Sequence, residues 1–284
     1  MASPPRSWNA AIRGPRGIRR AAAGSSENRA RSPALRASRP RESTAWRLRF
    51  QERIRRGGAV DRETRRIRMV AEQIVARGVR DPLVLAAMRK VPRELFVPAA
   101  LADFAYEDCA LPIEEGQTIS QPYVVAWMTA ALELQPGDRA LEIGTGSGYA
   151  AAVLAEIARE VRTVERHRPL AEGARRRLAD AGYANVFVRC GDGTLGWAEH
   201  APYDGIVVTA GGPVIPEALL AQLATGGRLV MPVGEEPELQ HLVRVRRAAE
   251  RELSIEELGD VQFVPLVGEQ GWQPEDPAHQ GFRT

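Results

Sequence analysis

Three short stretches of the sequence carry residue types and spacings suited to holding a nucleoside. The first is Leu141-Glu142-Ile143-Gly144-Thr145-Gly146-Ser147-Gly148-Tyr149. Alternate glycines let a backbone turn tightly and approach a ligand, and a helix starting behind them favours electron-rich groups. The second is Glu165, about twenty residues further on, where a carboxylate can accept both hydroxyl protons of a ribose. The third is Cys190-Gly191-Asp192-Gly193-Thr194, in which Asp192 is placed to accept a hydrogen bond from the amine of adenine. The bland alternatives are a tight strand–helix turn with a solvated Glu and a turn Asp between glycines.

Dinucleotides and S-adenosyl-L-methionine both suit such a loop. A dinucleotide loop reads G-x-G-x-x-G, and its third glycine would fall at position 149, which is Tyr149. The spacing here is G-x-G-x-G, and Glu142 just before it would repel a pyrophosphate but attract an ammonium or sulfonium. The residues therefore point to S-adenosyl-L-methionine. A phosphate-binding lysine motif is absent, since the single lysine is Lys90, and no serine stands in a hydrolase elbow. Cys109 and Cys190 are too few and too far apart for a disulfide scaffold or a cysteine-ligated zinc site. His167, His200, His241 and His279 lie scattered in polar stretches and read as surface residues.

The elements that must position these groups alternate. Apolar strand patterns at 139–143, 161–165, 186–189, 205–209, 228–232 and 241–246 are separated by helical patterns at 149–158, 170–181 and 217–223, and 262–266 reads as a last strand. This predicts an α/β fold, doubly wound around a mostly parallel sheet. Ahead of it, Ile67, Val70, Ile74 and Val75 recur at helical spacing up to Gly78, and Asp81-Pro82 opens a second helix. A third would start after Ser120, as N-cap to Val124, Val125, Met128 and Leu132.

The chain has 284 residues, 44% hydrophobic and 26% charged, a soluble globular balance with no stretch long enough to span a membrane. Its net charge of +3 is uneven. Residues 1–60 hold 15 Arg and 3 Glu, so the body that follows is acidic and gives no reason to expect nucleic-acid binding by it. Residues 1–58, rich in Arg, Pro, Ser, Ala and Gly, read as a disordered leader, with a transit peptide or a polyanion-binding arm as the other readings. The expected organisation is this leader and a domain over 59–284. That domain divides into a helical and substrate-loop part (59–135), a cofactor-binding core with its closing segment (136–272) and a tail (273–284).

The sequence resembles the protein-L-isoaspartate O-methyltransferases from about Met69 to Trp272. The most specific stretch is Gly116-Gln117-Thr118-Ile119-Ser120-Gln121-Pro122-Tyr123. Val91-Pro92-Arg93-Glu94-Leu95-Phe96-Val97, the glycine loop, Gly191-Asp192-Gly193-Thr194-Leu195-Gly196-Trp197 and Phe263-Val264-Pro265-Leu266-Val267 also match. The resemblance implies a Rossmann-like class I methyltransferase with an N-terminal helical subdomain. It implies S-adenosyl-L-methionine as cofactor, and isoaspartyl proteins and peptides as partners. The α-carboxyl of L-isoaspartate would be methylated, and the ester would close to a succinimide that hydrolyses in part to aspartate. The active-site serine falls on Ser120 and the cofactor residues on Gly144, Thr145, Gly146, Ser147, Gly148, Glu165, Asp192 and Gly193. A cytoplasmic monomer is expected. Glu114-Glu115 stands where relatives often begin with glycine, and Gly211-Gly212 where they commonly have alanines, which would loosen that loop.

This chemistry suits the residues. A carboxylate with pKa about 4 is already ionised and needs no general base, so catalysis reduces to holding it in line with the methyl group. Ser120 would orient the carboxylate, Thr118 and Ile119 would flank it, and the backbone of Val264, Pro265 and Leu266 would bind an extended peptide. Two further readings stand beside this one. The chain could methylate a dedicated peptide or a small carboxylic acid, or bind S-adenosyl-L-methionine as a regulator without turnover.

Overall fold

The computed structural model describes residues 61–236 and 239–273, so the expectations for the leader and for most of the tail lie outside the described residues. Helix α1 (Arg62–Met69) runs on through a π turn and a 3-10 turn and stops at Gly78, whose φ of 96° continues no helix. Helix α2 (Pro82–Lys90) is capped as its sequence predicts: the Asp81 carboxylate accepts hydrogen bonds from the Leu83 and Val84 amides at 2.9 and 3.1 Å. Two short strands, β1 (Leu111–Pro112) and β2 (Thr118–Ile119), pair antiparallel. Helix α3 (Pro122–Leu132) follows.

Strand β3 (Arg139–Ile143) leads into α4 (Tyr149–Ala155), β4 (Glu160–Glu165) into α5 (Arg168–Asp180), and β5 (Val186–Cys190) through short turns into β6 (Tyr203–Val208). Helix α6 (Glu217–Ala221) precedes three long strands: β7 (Leu223–Glu236), β8 (Leu239–Ala249) and β9 (Glu252–Val261). The seven-stranded sheet has the order β5-β4-β3-β6-β7-β8-β9. Pairs from β5 to β7 are parallel, and β8 and β9 add an antiparallel edge. The order reverses at β3, which places a crevice at the carboxyl ends of β3, β4 and β6.

The sheet is covered on both faces. On one, helices α1 to α5 bury Val70, Ile74, Met88, Leu132, Leu154 and Leu170 against it. On the other, Leu219 of α6 packs with Leu141, Ile206, Leu229 and Met231. Arg93 ties the leading helices to α4: it is fully buried, donates from Nε to the Ala105 carbonyl at 2.7 Å, and lies over the Tyr149 ring, 4.8 Å from its centroid. Glu133 ends α3 with φ 53° and ties it to the sheet, receiving Arg228 and Arg244 at 2.8 and 3.0 Å and a two-pronged contact from Arg246.

Two sequence expectations are corrected. Residues 262–266 are not a strand; they form an irregular segment bridged to the loop after β6 through Gly211 and Pro265. The last strand is instead β9, a Glu-rich edge whose period is broken by a bulge. The N-cap of α3 is Gln121 rather than Ser120, and the Gln121 side chain makes no cap hydrogen bond.

Candidate active site

The glycine loop is built by backbone demands. Gly144, Gly146 and Gly148 have φ of 97°, 52° and 94°, a region that side chains with a Cβ rarely adopt. At Gly144 space adds a second reason: a Cβ would lie 2.3 Å from Thr209 Oγ1. That hydroxyl is within hydrogen-bonding distance of the Ile143 and Gly144 carbonyls at 3.0 and 2.8 Å, fastening the loop to the end of β6. Sequence reasoning missed Thr209; its position just past an apolar strand end was the available signal.

Glu165 ends β4 and is 5% exposed. Its two oxygens accept the Gly146 amide at 2.8 Å and the His167 amide at 2.9 Å. The carboxylate is thereby held rigid at the wall of a cavity of about 260 Å³. Ile143, Gly144 and Gly146 form one side of this cavity, with Val164, Arg166, His167, Gly193 and Thr209 around them. Across it lie the turn Glu115, Gly116, Gln117 and Thr118, and the segment Val264, Pro265, Leu266 and Val267. Gly193 is constrained by space alone, because a Cβ there would come 2.4 Å from Ile143 Cγ2.

Not every expected residue reaches the cavity. Glu142 is fully buried beneath the loop, so the expectation that it faces a cation directly is corrected. Its Oε2 accepts the Thr163 hydroxyl at 2.6 Å, and Thr163 in turn lies 2.6 Å from Thr145 Oγ1. The only orientation that satisfies both contacts with an ionised carboxylate runs Thr145 to Thr163 to Glu142. Among the described residues Glu142 Oε1 has no hydrogen-bond partner. Burial, with the nearby Glu165 charge adding to it, pushes the Glu142 carboxyl up to about 8. Thr145 and Ser147 are themselves buried, and Ser147 holds the loop to α5 through its carbonyl, which accepts Arg177 Nε at 3.0 Å.

Asp192 is committed to structure. One oxygen accepts the amide and the hydroxyl of Thr194 at 2.8 and 2.7 Å, and the other accepts the Glu269 amide at 2.8 Å. It thus joins the turn after β5 to the closing segment. That segment is held further by Gly211, whose amide donates to the Val264 carbonyl and whose carbonyl accepts the Leu266 amide, both at 2.8 Å. The expected loosening at Gly211 is not what is found: a Cβ there would lie 2.4 Å from Gln240, which is buried and hydrogen-bonded both ways to Phe263.

Thr118 lines the cavity, Ile119 is buried beside it, and Ser120 follows at the end of β2. Ser120 is half-buried, and among the described residues its hydroxyl makes no hydrogen bond. The turn before it holds Glu115 at φ 58° and ψ 26°, a conformation that costs a non-glycine residue of order 1 kcal/mol. His167, read from sequence as a surface residue, is corrected to a cavity residue, with Nδ1 3.7 Å from Glu115 Oε2 across the mouth.

A doubly wound sheet, a glycine-rich turn at its switch point and an anchored carboxylate on the next strand define a Rossmann-like class I methyltransferase fold. The model of the family Protein-L-isoaspartate(D-aspartate) O-methyltransferase (PCMT) matches residues 64–271. The chain belongs to that family. It is 62% identical over 212 residues to Protein-L-isoaspartate O-methyltransferase 2 of Pelobacter propionicus, covering 75% of this chain and 94% of that protein. It is 60% identical over 215 residues to the Protein-L-isoaspartate O-methyltransferase of Rhodopseudomonas palustris, covering 76% and 99%. Among solved structures, a protein-L-isoaspartate O-methyltransferase superposes with a TM-score of 0.65 at 31% identity, over 74% of this chain and 67% of that one. A Plasmodium falciparum protein solved with S-adenosyl-L-homocysteine shares the fold, with a TM-score of 0.62 at 24% identity over 71% and 98%.

Proposed function

We propose that this chain transfers a methyl group from S-adenosyl-L-methionine to the α-carboxyl of L-isoaspartyl residues in damaged proteins and peptides, starting their return to aspartate. One observation carries the reading: a single cavity is walled by the glycine loop and Glu165 on one side and by Thr118 and the backbone at Val264, Pro265 and Leu266 on the other. Cofactor-type and peptide-type surfaces therefore face each other.

The donor set fits a nucleoside. Glu165 offers two oxygens, each fixed by one backbone N–H and each with a lone pair left for a ribose hydroxyl. Gly144, Gly146 and Gly193 supply bare backbone where a side chain would clash or fill the site. Bound S-adenosyl-L-methionine supplies an electrophilic methyl group on a sulfonium. Glu142 supports this from below, holding the loop through Thr163 and Thr145, and Asp192 holds the closing segment against the turn after β5. In this reading the Ser120 hydroxyl, uncommitted among the described residues, donates to the substrate carboxylate and orients it. Val264 and Leu266 keep water from the reacting atoms, and the part 59–135 carries the substrate loop while 136–272 carries the cofactor site. The reading includes a cytoplasmic monomer whose folded body binds no nucleic acid.

The test is methyl transfer from labelled S-adenosyl-L-methionine to two synthetic peptides that differ only in one isoaspartyl or aspartyl linkage. Strong preference for the isoaspartyl peptide is expected. Equal transfer to both, or none to either, would overturn the proposal.

A further inference from the structure

We infer that His241, Glu257 and Asp260, none of which lines the cavity, form a binding site for a first-row divalent metal ion on the outer antiparallel ladder. His241 lies on β8 directly opposite Asp260 on β9, which puts their side chains on one face. Glu257 stands three residues before Asp260, so in an unbroken strand it would point to the other face. The ladder is not unbroken. Leu242 pairs with Gly259 and Val243 with Glu257, which leaves Leu258 as an extra residue. That bulge reverses the alternation and carries Glu257 round to the face of Asp260. Gly259 adopts φ 153°, and a Cβ there would lie 3.2 Å from Trp127 Cη2. Trp127 of α3 thus packs closely beside the bulge, where glycine leaves room for it.

Three donor atoms converge. His241 Nδ1 is 2.9 Å from Asp260 Oδ1 and 3.1 Å from Glu257 Oε1, and all three lie within 4.8 Å of one another. A metal with ligand bonds of about 2.1 Å holds two cis ligands about 3.0 Å apart, and tetrahedral ligands about 3.4 Å apart. Both measured separations match cis positions of a five- or six-coordinate ion. One imidazole with two carboxylates suits Zn²⁺, Co²⁺ or Ni²⁺, whereas Ca²⁺ and Mg²⁺ prefer all-oxygen sites. The carboxylates are 47% and 57% exposed, so solvent can complete the shell. Two carboxylates neutralise the dication. Bound metal would clamp the edge strand β9 to β8.

The experiment uses the full chain without an affinity tag, stripped with a chelator and titrated with Co²⁺ and then Zn²⁺. Calorimetry is expected to give one equivalent per chain, with Co²⁺ absorption bands displaced by Zn²⁺ and a rise in Tm on Zn²⁺ addition. Loss of an outer-shell partner alone weakens metal sites by about 10- to 100-fold, so His241→Ala and Glu257→Gln should each cost at least that. Both should keep methyl transfer, which verifies that they fold. Absence of saturable uptake, or uptake of equal strength in His241→Ala, would overturn the inference and leave His241 as the ion-pair partner of two carboxylates.

Discussion

Replacing Glu142 with Gln tests the buried acid beneath the glycine loop. The folded carboxyl is raised from 4.5 to about 8, chiefly by burial. The folded state thus holds this proton more tightly than the unfolded chain does. The associated stability is complete below pH 4.5 and is lost as pH rises through 8. At 1.36 kcal/mol per unit, the loss reaches ~3 kcal/mol at pH 7 and ~5 kcal/mol above pH 8. Gln keeps an oxygen for the Thr163 hydroxyl and cannot ionise, but its amide has no partner at the Oε1 position, a cost of ~1 kcal/mol or more. Glu142→Gln is therefore expected to be slightly less stable than wild type at pH 5 and more stable at pH 9. The remaining titratable groups cancel in the difference. Relaxation and water entry lower the swing to ~2–4 kcal/mol, or roughly 5–15 °C in Tm for a domain of this size. Thermal unfolding of both proteins at pH 5, 7 and 9 reads it directly. Parallel profiles, with a difference constant to about 0.5 kcal/mol, would show that Glu142 ionises as freely in the folded protein as in the unfolded chain, and refute the reasoning.

Ser120→Ala should lower kcat/KM for an isoaspartyl peptide by about 10- to 100-fold, through misplacement of the carboxylate, with S-adenosyl-L-methionine affinity unchanged by calorimetry. Gly144→Ala combines φ 97° with a 2.3 Å approach to Thr209 Oγ1; it should cost ~2 kcal/mol or more in urea unfolding and abolish cofactor binding. Glu133, held at about 2 first by its hydrogen bond to Arg246, contributes stability present above pH 4.5 and lost as pH falls through 2. Its side chain is 40% exposed, so solvent screening reduces the effect of Glu133→Gln to ~1 kcal/mol at pH 7, vanishing in acid.

The glycine loop and Glu165 were legible because local backbone needs fix residue type: a turn that demands positive φ at alternate positions admits little but glycine there. The parallel core was legible from short apolar-rich stretches alternating with helical patterns, even though Glu142 interrupts β3 and Arg162 and Thr163 interrupt β4. Other features depend on partners distant in sequence. Glu142 belongs to a strand end beside the loop, and only its pairing with Thr163 on β4 shows that it points down into the core rather than up at a ligand. His167 looked like a surface residue until the turn carrying Glu115 came across to meet it. β9 escaped because an edge strand needs one apolar face only, and the bulge at Leu258 breaks even that period. Ser120 stands two residues after Thr118 of the cavity wall, but which residue caps α3 is decided by the backbone angle at Gln121, which no side-chain pattern encodes.

The closing segment fixes the order in which a working enzyme can be made. Val264, Pro265 and Leu266 wall the cavity, and Trp272 returns an amide to the Leu266 carbonyl and its indole to the Gly211 carbonyl. The glycine loop leaves the ribosome roughly a hundred residues earlier. A nascent chain can therefore pair its first strands and shape the glycine-loop side of the cleft long before the wall at Val264 to Val267 exists. A message broken upstream of Val264 would yield the glycine loop and the turn at Glu115 to Thr118 without the wall formed by Val264, Pro265, Leu266 and Val267. The wall at Val264, Pro265 and Leu266 is thus the last part of the cavity to be made.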